Sequence, residues 1–163
     1  MRGFCLAFVI IAIVAAFLLG TYVVYSTLAG APNEIRIDAT VDQKVIAANS
    51  PFTITVEIEN VDLDTVTLKA VGLDEDLLAG ATVVSIDPAP RTPQERSYPL
   101  VGTWTEYPLA RRLLGGDTLT VTITLNATTP GVYSGELSMW VEGDLLGINT
   151  SRARRTTLDY QVQ

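Results

Sequence analysis

The chain predicts an all-β protein, with a single N-terminal transmembrane helix over residues 1–30 and then an antiparallel two-sheet β-sandwich of about seven to eight strands over residues 31–163. Three observations predict it. Phe4 to Tyr25 is a run of 22 residues without a charge. From Glu34 onward apolar residues recur at every second position, the period of a strand with one buried face. Clusters of Gly, Pro, Asn and Asp separate these alternating runs.

At 1.5 Å per residue the uncharged run reaches about 30 Å, the thickness of a bilayer's hydrocarbon core, whereas a secretory apolar region is usually about 7–15 residues. Ala29-Gly30-Ala31 has the small-residue pattern of a cleavage site, but Pro32 would follow the cut, so the run reads as retained. Arg2 precedes the run, and Asn33, Glu34 and Asp38 follow it. The positive-inside rule then expects a cell-membrane protein with a cytoplasmic N-terminus and an extracytoplasmic domain, with Tyr22 and Tyr25 at the outer headgroups. Ala12, Ala16 and Gly20 recur every four residues, a small-residue face that lets two helices approach closely in lipid. Membrane lipid and the helices of other membrane subunits are the partners this segment implies.

In the domain, Ile35, Ile37, Ala39 and Val41 alternate with polar residues, as do Phe52, Ile54, Val56 and Ile58, then Val66 and Leu68, then Leu119, Val121, Ile123 and Leu125. Tyr133 to Val141 and Thr156 to Val162 read as further strands, and Thr82 to Ile86 and Gly102 to Tyr107 complete the set. Asp74 to Leu78 reads as a short helical turn, with acids at its start. The polar stretch Asp87 to Pro99 reads as an exposed excursion, and Arg152, Arg154 and Arg155 as a solvated basic loop before the last strand or else as a run that pairs with an acidic partner.

Two phrases, "NSPFTITVEIENVD" and "LLGGDTLTVTITLNATTPGVYSGELSMWV", resemble strands of bacterial and archaeal immunoglobulin-like surface modules. There a Gly-rich turn launches a threonine-rich strand and a PG-x-Y-x-G turn launches the next. The resemblance implies an immunoglobulin-like sandwich. It implies no activity, because such modules serve adhesins, enzymes and complexes alike.

Composition excludes several chemistries. The chain has no histidine, the commonest general base and metal ligand, and its single cysteine, Cys5, lies in the apolar run. A net charge of −7 argues against nucleic acid as a partner. No catalytic residue and no cofactor site emerges. Asp62 and Asp64, with Asp74, Glu75 and Asp76, read first as solvated loop charge and second as oxygen ligands for calcium, without EF-hand spacing. Trp140 shares a strand face with Glu136 and Ser138, opposite Leu137, Met139 and Val141, and Trp104 lies between two threonines. Outward tryptophans of this kind serve as ligand or partner contacts, and inward ones sit beneath a covering loop.

The sequence thus reads as a non-catalytic, single-pass membrane protein whose outward sandwich mediates protein–protein interaction, either as an accessory subunit of a membrane complex or as a cell-surface module. The alternative is a filament subunit. "MRGFCLAFVIIAIVAAFLLG" resembles the start of prepilins, with cleavage after Gly3, although Phe8 stands where bacterial pilins carry a glutamate.

Overall fold

A computed structural model describes residues 11, 13–18, 20–21, 30–98, 102–145 and 148–163. Among the described residues from Ile35 onward, ten strands and one short helix follow in chain order: β1 (Ile35–Val41), β2 (Val45–Ile46), β3 (Pro51–Asn60), β4 (Val66–Asp74), α1 (Glu75–Leu78), β5 (Ala81–Asp87), β6 (Gln94–Tyr98), β7 (Gly102–Leu113), β8 (Thr118–Ala127), β9 (Gly131–Leu145) and β10 (Ile148–Val162). They form two sheets, one of four strands ordered β1-β3-β8-β5 and one of six ordered β2-β10-β9-β4-β7-β6. All pairings are antiparallel except the short β2–β10 contact.

Alternation drives this packing. Phe52, Ile54, Val56 and Ile58 of β3 meet Val121, Ile123 and Leu125 of β8 on one inner face. Val71, Leu73, Leu137, Met139 and Val141 cover the other. Each fully buried aliphatic side chain contributes about 1.5–3 kcal/mol, so the inner faces dominate the stability.

The expected membrane-spanning helix over residues 1–30 is corrected. Among the described residues no helix is long and apolar enough to cross a membrane. The helical residues described there are 11, 13–18 and 20–21. Ile11, Ile13, Val14, Phe17 and Leu18 of that stretch are exposed, and the Thr21 hydroxyl bonds back to the Phe17 and Leu18 carbonyls. Ala16 and Gly20 are helical, and an added side chain at Gly20 would meet nothing within 4 Å. Ala12, Tyr22, Tyr25, Cys5 and the cleavage position after Gly3 lie outside the described residues.

The strand number is corrected too, from about seven or eight to ten. β2 is only two residues long, and β6 emerges from the stretch expected to be an exposed excursion. β6 is polar throughout (Gln94 to Tyr98) and pairs along one edge of β7, so no apolar alternation announces it. The basic run Arg152–Arg155 lies inside β10 rather than in a loop, and alternation splits its members. Arg152 pairs with Glu34 and Arg154 bonds the Pro32 carbonyl, while Arg155 reaches the outer face of the sheet.

Tyr160 joins α1 to the sandwich. Its ring lies 5.0 Å from Phe52 and 5.2 Å from Tyr133, and its hydroxyl donates to the Leu77 carbonyl at 2.8 Å. Burial, with a smaller contribution from Tyr133, pushes its pKa up to about 12. The raised value means that the folded state holds this proton more tightly than the unfolded chain, in which tyrosine ionises near 10. The associated stability is therefore complete below pH 10 and is lost as pH rises toward 12. Melting temperature measured across that window should fall steeply for the native chain and less steeply for Tyr160→Phe. Equal slopes would remove Tyr160 from the account.

Candidate functional site

The site is built by an irregularity in β4. Leu68 and Ala70 are two residues apart, yet their partners on β9, Val141 and Trp140, are adjacent. β4 therefore carries one extra residue at Lys69, a β-bulge. Because side chains alternate, one extra residue exchanges the faces of everything beyond it. Val66 and Leu68 point into the core before the bulge, and Val71 and Leu73 point into it afterwards. Ala70 and Gly72 are left facing outward, in the middle of the six-stranded sheet.

Two tryptophans use that space. Trp104 on β7 lies opposite Asp74 of β4 and Arg96 of β6, and Trp140 on β9 lies opposite Ala70 of β4 and Ala153 of β10. A Cβ placed on Gly72 would sit 3.2 Å from Trp140 Nε1, 3.3 Å from Trp104 Cε3 and 2.4 Å from Ser138 Oγ. Gly72 is thus the floor on which both indoles rest. Neither ring belongs to the core between the sheets. Trp104 is nonetheless only 2% exposed, and Trp140 is partly exposed.

Charged groups surround the pair. The Arg155 guanidinium lies 5.3 Å from the centroid of Trp104 and 3.6 Å from the Glu136 carboxylate. On the other side Arg96 pairs with Glu106 at 3.0 Å, and Lys69 Nζ donates to Ser151 Oγ at 2.7 Å. Two clefts open onto this face. One, of about 460 Å³, is lined by Asp74, Asp76, Trp104, Ser134, Gly135, Glu136, Arg155 and Thr157. The other, of about 350 Å³, is lined by Lys69, Ala70, Arg96, Glu106, Trp140 and Ser151.

Asp74 fixes the end of the first cleft. Its Oδ1 accepts the Leu77 N–H at 2.7 Å, capping α1, and its Oδ2 accepts the Glu136 N–H at 2.9 Å, tying the helix to β9. Gly135 passes so close that a Cβ there would stand 2.3 Å from the Leu77 nitrogen.

The structure thus brings both sequence-predicted tryptophans onto one outward face. Trp140 lies on the face that alternation assigns to it, while Trp104 is covered rather than presented. The two carboxylate clusters of the calcium reading lie at opposite ends of β4: Asp62 and Asp64 precede it, whereas Asp74 ends it and Glu75 and Asp76 open α1. A strand of that length separates the clusters by about 30 Å. Among the described residues no group of three or more His, Cys, Asp or Glu is placed to hold a metal ion. Sequence reasoning missed Arg155, Gly72 and Asp74 as parts of the site. The outward-facing pair Ala70 and Gly72 was the available signal, but it became readable only once the bulge was located.

No protein-family model matches the chain, and no curated protein matches it. Solved structures of similar shape include AvmM, which catalyzes macrocyclization in alchivemycin A biosynthesis (15% identity, 81% of this chain and 90% of that chain, TM-score 0.49). The cupredoxin domain of amoB from Nitrosocaldus yellowstonii is similar at 10% identity, over 82% of this chain and 89% of that one, with a TM-score of 0.46. A fragment of native alpha-2-macroglobulin from Escherichia coli is similar at 18% identity, over 83% of this chain and 17% of that one, with a TM-score of 0.47. Each is a likeness of overall fold, and the sandwich assignment rests on the two sheets described above.

Proposed function

We propose that the chain is a non-catalytic protein-interaction module, an accessory subunit that meets its partner through the outer face of the six-stranded sheet. The observation that supports this reading is the placement of Trp104 and Trp140 outside the core, on a sheet face that solvent would otherwise wet. Tryptophan, with neighbouring arginine, is the residue type that dominates protein interfaces energetically. Five strands spaced about 4.8 Å apart, with about 25 Å of strand length, present roughly 600 Å², close to the ~800 Å² per partner of a standard interface. The face offers no nucleophile with an adjacent histidine, and the serine nearest a base, Ser151, bonds Lys69 on a flat ladder.

A photo-crosslinking amino acid at Lys69 or Ala153 should trap one defined protein in the native host. A crosslinker at Thr120, on the outer side of the smaller sheet, should trap none. Trp140→Ala should abolish the crosslink while leaving the fold intact by circular dichroism. Crosslinks that persist in Trp140→Ala would remove the face from the interaction, and labelling of Ser151 by a fluorophosphonate would overturn the non-catalytic assignment.

A further inference from the structure

We infer that the cleft over Trp104 receives an arginine or lysine side chain from a basic segment of the partner protein, which displaces Arg155. This rests on the reading of the outer face as the contact surface, and it names the chemistry that face selects. The cleft already holds a cation. Arg155 stands over the Trp104 ring at 5.3 Å, the placement in which a ring's negative face attracts positive charge. The slot is thus filled from within the chain, and loosely. The Arg155–Glu136 pair is 3.6 Å long, with side chains 38% and 42% exposed, the class of ion pair that holds its members weakly.

Charge selects the replacement. Three carboxylates, Asp74, Asp76 and Glu136, line the cleft against one guanidinium. The chain carries −7 overall, so its field attracts a basic segment and repels an acidic one. Trp104 adds an independent requirement. It is 2% exposed and its Nε1–H finds no acceptor among the described residues. A peptide supplies a side-chain cation that takes Arg155's place over the ring face and beside the carboxylates. Arg155 then swings outward to solvent, and the carboxylates keep the site charged for the incoming cation.

The test uses the full chain with nitrogen-15-labelled indoles, assigned by comparison with Trp140→Phe. The probes are acetyl-Gly-Gly-Arg-Gly-Gly-amide and its lysine, citrulline and glutamate counterparts. The arginine and lysine peptides should shift the Trp104 indole signal saturably, with affinity falling as salt rises. Citrulline, equal in shape but uncharged, should bind about threefold or more weaker, the value of a semi-exposed cation–π contact. Arg155→Ala should tighten the arginine peptide about threefold by vacating the slot, and Glu136→Gln should weaken it. Citrulline binding as well as arginine, or Arg155→Ala weakening the peptide, would overturn the assignment. Agmatine matching the peptide would also overturn it, in favour of a free small cation. Failure of the peptide series with the Lys69 and Ala153 crosslinks intact would sink the basic-segment assignment alone. Loss of the crosslinks would sink the face itself.

Discussion

Replacing Trp104 by alanine is expected to lower the unfolding free energy by about 3–5 kcal/mol, the cost of removing a large aromatic from a filled interior. The expectation is unusual for a residue on the outer side of a sheet, where substitutions are ordinarily worth about 0.5 kcal/mol or less. The magnitude follows from burial. Trp104 is 2% exposed, rests on Gly72 and lies beneath Arg155, so alanine would leave a hole bounded by backbone on one side and a charged side chain on the other. Guanidinium unfolding should show the midpoint falling with little change in slope. A loss below about 1 kcal/mol would mean that the ring is solvent-accessible in solution, since such values belong to surface sites. Trp140→Ala provides the contrast, with a smaller loss in stability.

Gly135→Ala is expected to cost about 2–4 kcal/mol, combining steric overlap with disruption of buried hydrogen bonds. The new methyl would stand 2.3 Å from the Leu77 nitrogen and 2.5 Å from Asp74 Oδ1, and at Leu77 the obstacle is backbone, which cannot rotate aside. Relief requires α1 and its capping carboxylate to lift from β9, and lifting them breaks the bond from the Glu136 N–H to Asp74. Asp74→Ala alone also removes that bond to Glu136, so the two substitutions together should cost less than the sum of their separate effects. A double-mutant cycle on thermal or denaturant unfolding measures that shortfall. Strict additivity would mean that α1 does not move as a unit with the carboxylate.

Much of the sandwich is legible in the sequence, because β1, β3 and β8 each bury one face and therefore alternate strictly. Asp74 as the start of a helical turn is legible for a similarly local reason, its carboxylate capping the first free N–H groups of α1. Other features are invisible to period counting. β6 carries no apolar face, so its pairing with β7 is decided by the neighbour rather than by its own residues. Arg152 and Arg154 look solvated in sequence because their partners, Glu34 and Pro32, lie more than a hundred residues away.

The site was half legible. Alternation on β9 places Trp140 outward without further help. Trp104 required knowing that β7 runs beside β4 and that β4 changes phase at Lys69. In the run Val66 to Asp74 apolar and polar residues alternate through Lys69, and the only trace of the exchange is that Ala70 and Val71 are apolar neighbours.

That extra residue at position 69 also bears on how relatives of this chain would be recognised. An alignment that threads β4 as an uninterrupted strand assigns Ala70 and Gly72 to the interior and turns Val71 and Leu73 to the surface. It would score a related sandwich lacking the insertion as equivalent, although that protein would have no small-residue floor and no seat for paired indoles. Inheritance of the platform is therefore traced by the number of residues between Leu68 and Asp74 more faithfully than by which residues they are.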